Sequence, residues 1–153
     1  MKTNLILSFL LLLTITSSQL KAQELPPKHR GMHPVLKSDG KVYDESGKQL
    51  GYITKKGKIC DVTGKVIGII SKSGEVTTGN GKGIIGTMQK DGSFKSNKGY
   101  VVTDEDGVLK VQGKEVAKVE RGYKYRKDHG CVVHCFFSSE SEDAQQIDEN
   151  IKK

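Results

Sequence analysis

Between Asp39 and Glu120 the chain restarts one short phrase five times. The phrase is a glycine, any residue, an apolar residue, a polar turn with a second glycine, and a further apolar run. Its starts are Gly40, Gly57, Gly74, Gly92 and Gly107, separated by 17, 17, 18 and 15 residues. Two residues after each start come Val42, Ile59, Val76, Phe94 and Leu109. Seven residues after it come Gly47, Gly64, Gly81 and Gly99, with Gly113 one place early in the fifth unit. Ten residues after it come Leu50, Ile67, Ile84 and Val102, and Val116 once that deletion is allowed.

This pattern limits the fold. Glycine every few residues rules out a long helix, because each interior glycine costs about 1 kcal/mol and the 3.6-residue period never establishes itself. Asp44-Glu45-Ser46-Gly47, Asp61-Val62-Thr63-Gly64 and Gly79-Asn80-Gly81 carry turn chemistry, since glycine and asparagine tolerate positive φ. Asn80-Gly81 is the strongest hairpin signal among them. The valine, isoleucine and tyrosine around these turns favour strands. Each unit therefore reads as a β-hairpin, and the chain as an all-β protein of five β-hairpin repeats. A lone hairpin is marginal in water, so the five must share one core, as a linear stack or as a closed ring. A ring, which we favour, also removes exposed strand edges. Gly51, Gly68 and Gly86 are expected where neighbouring backbones approach closely.

The phrase G-x-V-x-D-x-x-G-K-x-x-G, as in Gly40 to Gly51 and Gly57 to Gly68, resembles the five-fold β-flower family of small exported bacterial proteins. The similarity covers roughly Val35 to Phe137. It implies hairpins arranged about a pseudo-five-fold axis and an aromatic-rich terminal strand ending in Cys135-Phe136-Phe137. It implies no activity and no functional residues.

Four segments follow along the chain. Residues 1–22 read as a signal peptide: Lys2 is basic, Leu5 to Ile15 is apolar, and Ser17 to Ala22 is a small and polar exit. The apolar run is too short to span a bilayer, and no transmembrane span follows it. Cleavage near Ala22 would leave the protein periplasmic, at the cell surface or secreted. Residues 23–34 hold all three prolines with His29, Arg30 and His33, and read as an extended, mobile lead-in. Residues 35–137 form the β domain; its last strands are expected at Tyr123-Lys124-Tyr125 and Cys131 to Phe137, turning at Asp128-His129-Gly130. Residues 138–153 are polar and acidic and are expected to be disordered.

Removing residues 1–22 takes away Lys2 and Lys21 and lowers the formal charge from +7 to +5. That excess suits an anionic envelope glycan or lipid; the basic residues are too dispersed for a nucleic acid to be expected. Lys48, Lys65 and Lys82 each follow a turn glycine and would form a set of ammonium groups on one face. Self-association is the other partner class the pattern allows.

Three motifs bear on chemistry. Gly81 to Gly86 satisfies G-x-G-x-x-G, but the nucleotide motif needs a strand before it and a helix after it, and here it sits inside a hairpin repeat on a chain read as exported. Asp104-Glu105-Asp106-Gly107 resembles the start of a calcium loop without its later ligands. His129-x-Cys131-x-x-His134-Cys135, with His29 and His33 outside it, has ligand types suited to zinc or copper. On a strand Cys131 and Cys135 share a face and His134 takes the other, so one ion could not collect all three. The two cysteines would also lie about 13 Å apart, beyond disulfide reach. Cys60 could pair with either, although three buried or free thiols are favoured. A nucleophile and base could come only from Cys131 with His134 or Cys135 with His129. No catalytic, cofactor or metal residues are therefore assigned. The expectation is an exported non-enzymatic binding or structural module, with a metal- or thiol-dependent enzyme at His129 to Cys135 as the alternative.

Overall fold

The computed structural model describes residues 29–91, 93–96, 99–122 and 129–141. The signal-peptide reading, Gly92, the Tyr123-Lys124-Tyr125 strand, Asp128 and the tail beyond residue 141 lie outside those residues.

The chain is mostly β. Its strands are β1 (Val35–Leu36), β2 (Lys41–Tyr43), β3 (Gln49–Ile53), β4 (Lys58–Asp61), β5 (Val66–Ile70) and β6 (Glu75–Thr78). They continue as β7 (Ile84–Met88), β8 (Ser93–Ser96), β9 (Gly99–Val102), β10 (Val108–Val111) and β11 (Lys114–Val119). All eleven join one sheet in the order β10-β11-β1-β2-β3-β4-β5-β6-β7-β8-β9. Among the described residues, every pairing between these strands is antiparallel except β1 with β11. A bridge between Thr103 and Leu109 brings the two outer strands together, so the sheet is nearly closed into a barrel. Near-closure leaves little free edge for other chains to pair with.

The register sorts the side chains into rows that face inward. Leu36 pairs Val42, which pairs Gly51; Ile53, Ile59 and Gly68 follow in the same order. Ile70, Val76 and Gly86 make a third row, and Met88, Phe94 and Val101 a fourth. Thr103, Leu109 and Ala117 make the last. The middle residue of each row is almost wholly buried. A register shift at the inner end of four hairpins adds one apolar residue to each: Leu50, Ile67, Ile85 and Val116. A bulge lets that residue turn toward the core beside the paired one.

Here the sequence alignment is corrected. Ile84 and Val102, which it placed with Leu50 and Ile67, are exposed. The third unit has one extra residue, so Ile85 takes the inward place. The β8–β9 pairing runs without a shift, so Val102 alternates outward.

The expected terminal strand is also corrected. Residues His129–Phe137 form a helix, α1, buried at every residue but His134. A segment inside a nearly closed sheet finds no strand edge to pair with, and a helix satisfies its backbone donors internally. Apolar residues all round it mark a buried helix. His129 and Gly130, expected in a turn, are its first residues. Small residues receive it: an ideal Cβ on Gly51 would lie 2.6 Å from Phe137 Cε1, and one on Gly68 2.5 Å from Phe136 Cε1. The fit reverses at the other end, where a Cβ on Gly130 would meet Thr103 Oγ1 at 2.6 Å.

The described part of the lead-in is docked where mobility was expected. The buried Arg30 donates through Nη1 to the carbonyls of Cys135 (2.9 Å) and Ser138 (3.2 Å), satisfying acceptors at the helix C-terminus. Gly31 N–H donates to Phe137 O at 2.9 Å, and Ser139 N–H to Gly31 O at 2.9 Å. The start of the polar tail is held as well, with Ser138 and Ser141 buried and Lys114 Nζ 2.9 Å from Glu140 Oε1.

Candidate functional site

The hairpin turns between β2 and β3 and between β4 and β5 are built alike, and the one between β6 and β7 differs, with Thr78 in the place of the aspartate and Asn80 beside the turn glycine. Asp44 Oδ1 accepts from the Ser46 amide (3.0 Å), the Ser46 hydroxyl (2.6 Å) and the Lys48 amide (2.9 Å). Asp61 Oδ1 accepts from the Thr63 amide (2.8 Å), the Thr63 hydroxyl (2.6 Å) and the Lys65 amide (3.1 Å). In the third turn Asn80 Oδ1 accepts from the Lys82 amide at 3.0 Å. Gly47, Gly64 and Gly81 all have positive φ, near +80°, +90° and +70° respectively, which lets the chain reverse there.

This chemistry consumes the acidic groups and leaves the lysines. Burial alone would raise the pKa of Asp44 and of Asp61. The hydroxyl and amide donors around each outweigh it and hold both carboxyls below their ordinary value. Lys48, Lys65 and Lys82 are exposed. Among the described residues, no carboxylate lies within ion-pair distance of any of the three. Lys114 occupies the same place after Gly113 but is paired with Glu140. Sequence alone placed the three lysines after their glycines; that the turn carboxylates are already engaged became visible only in the structure.

The His129 to Cys135 segment is arranged differently from its strand reading. On a helix, positions 131, 134 and 135 fall on one face, so the face argument against a shared ion no longer holds. Even so, among the described residues no group of three or more His, Cys, Asp or Glu side chains converges to hold a metal. Cys131 Sγ lies 3.8 Å from Val101 O and 3.9 Å from Thr103 Oγ1, deep against β9. Cys60, Cys131 and Cys135 are all buried, and none is in a disulfide. His33 is held between two carboxylates, with Nδ1 2.9 Å from Glu45 Oε2 and Nε2 3.8 Å from Glu140 Oε2. The calcium-like Asp104 is engaged by its own turn, accepting from the Asp106 and Val108 amides. Gly81 to Gly86 runs from a turn into β7, with no helix after it.

Sequence reasoning missed a groove of about 630 Å³ on the outside of β2 and β3, lined by Ser38, Asp39, Lys41, Tyr52, Thr54 and Lys55 among others. Lys41 Nζ pairs with Asp39 Oδ2 at 3.2 Å, so these two charges offset each other and Lys55 leaves the lining positive. Tyr52 sits opposite Cys60 in the sheet, and the neighbouring thiol pushes the phenol above its ordinary pKa. The alternation of β3 signals an outward Tyr52; nothing in the sequence signals the depth beside it.

No family model, curated protein or solved structure matches this chain.

Proposed function

We propose that this chain is an exported, non-enzymatic binding module of the cell envelope, its five hairpins set about a pseudo-five-fold axis. Its ligand is an anionic glycan or lipid, taken on the rim that carries Lys48, Lys65 and Lys82. The observation that carries this reading is the set of three exposed ammonium groups, each directly after a turn glycine; the carboxylates beside Lys48 and Lys65 are engaged by their own backbones, and the Lys82 turn is held by Asn80. Lysines so placed attract polyanions, although the charge of Lys48 also acts on the neighbouring Asp44 carboxylate. The apolar run Leu5 to Ile15 after Lys2 supports export. The burial of Cys131 and Cys135 on a core helix weighs against a thiol- or metal-dependent enzyme there.

The test is retention on immobilised heparin and on lipopolysaccharide, comparing the parent with Lys48→Ala/Lys65→Ala/Lys82→Ala. Retention that falls in the variant at unchanged circular dichroism supports the reading. Equal elution of parent and variant on both matrices would end it.

A further inference from the structure

Two of the lysine-bearing tips lie side by side, and both carry exposed apolar side chains. The first tip is Asp61-Val62-Thr63-Gly64-Lys65, and the second runs from Thr78 through Lys82 to Ile84. Gly79 N–H donates to Ile67 O at 3.0 Å, which fixes the second tip against the base of the first. Val62 is 47% exposed and Ile84 60%, the highest value for a large hydrophobic among the described residues.

The register continues this apolar surface behind the tips. Ile84 pairs Thr77, which pairs Ile69 on the outer face of β5, and Val66 lies on the same face opposite Cys60. Val66 and Ile69 are half-buried. The hydrogen bonds of Asp61 to residues 63 and 65 bracket Val62 and hold it at the apex.

A single exposed valine or isoleucine is ordinary. Two on adjoining tips, each within three residues of an exposed lysine, are a surface of mixed chemistry. A glycan polyanion has use for the ammonium groups only. An anionic bilayer uses both kinds of side chain, taking the apolar ones among its acyl chains and the lysines at its phosphates. From this pairing the geometry points to a docking face for an anionic bilayer surface, formed by Val62 and Ile84 with Lys65 and Lys82. The inference rests on the polyanion reading above and selects lipid as the polyanion.

The experiment places an environment-sensitive fluorophore on the full chain at Val62→Cys, at Ile84→Cys and, on a loop at the opposite rim, at Ser73→Cys. The native thiols are buried, so labelling is selective. Each protein is mixed with vesicles of phosphatidylcholine alone or of phosphatidylcholine with an equal part of phosphatidylglycerol. Blue-shifted emission at positions 62 and 84 with the anionic vesicles, and none at 73, is the expected result. Lys65→Ala/Lys82→Ala should weaken the vesicle affinity about fivefold per lysine. Val62→Ser/Ile84→Ser should weaken it about tenfold and leave heparin retention unchanged. No shift at 62 and 84, or an equal shift at 73, overturns the inference. If heparin retention persists in that case, the polyanion reading survives with a glycan as ligand; if it too is lysine-independent, both fail.

Discussion

The ring of Phe136 occupies the space above Gly68, with Cε1 only 2.5 Å from where a Cβ on that glycine would be. The same relation holds between Phe137 and Gly51. Gly68→Ala should therefore cost about 1–3 kcal/mol through overpacking, with backbone and ring both forced to shift. Gly47 is the control: its Cβ position is open, so Gly47→Ala should cost only about 1 kcal/mol, from its positive φ. Urea unfolding of the two variants checks the order; equal losses would remove the fitted role of Gly68.

Arg30 holds the helix end. Arg30→Ala leaves the Cys135 and Ser138 carbonyls without their charged donor and should destabilise by about 1.5–3 kcal/mol. Amide exchange along residues 131–137 should rise in step. A variant with parental stability would show that other donors replace the guanidinium.

The register makes opposite forecasts for two isoleucines that the repeat aligned. Ile67→Ala should cost about 2–5 kcal/mol, since the side chain is buried at a bulge. Ile84→Ala should fall within about 0.5 kcal/mol of the parent, because the side chain is exposed. Thermal melts of both variants decide it, and a large loss at Ile84 would contradict the assigned register.

The thiols should be silent in the native state. Cys60, Cys131 and Cys135 are buried, so a thiol reagent should label none of them quickly in buffer and all of them in denaturant. Rapid stoichiometric labelling of the native protein at Cys131 or Cys135 would revive a reactive-thiol reading.

Stability should fall in acid. The Lys114 hydrogen bond, opposed by burial, holds the Glu140 carboxyl below its ordinary 4.5. A depressed carboxyl stabilises the fold above its unfolded pKa, and the contribution fades as pH drops through the folded value. Glu140→Gln should thus cost under about 1 kcal/mol at neutral pH, and the gap to the parent should close below pH 4.5. Unfolding curves at neutral and acid pH check the sign; a gap that widens in acid would reverse it.

The repeat made the β character and its turns legible, because turn chemistry is local. Asp44 and Gly47, or Asp61 and Gly64, specify a reversal from within four residues. The positions of Val42, Ile59, Val76, Phe94 and Leu109 were equally readable, since the second place after each start always faces inward. The exposed lysines followed from the same alignment. What escaped it depends on partners distant in sequence. One inserted residue in the third unit moved Ile84 outside and Ile85 inside, and only the pairing with Val76 and Thr77 settles that choice. Cys131 to Phe137 is short and apolar enough to pass for a strand; it is a helix because the space left to it is the barrel interior, where a strand would find no edge. Arg30 looked like part of a loose leader until the carbonyls of Cys135 and Ser138, more than a hundred residues away, gave it a buried place. Local sequence determined where the chain turns and which side chains are apolar; the tertiary structure decided what fills the barrel, because a core is closed by contacts between segments that carry no signal of one another.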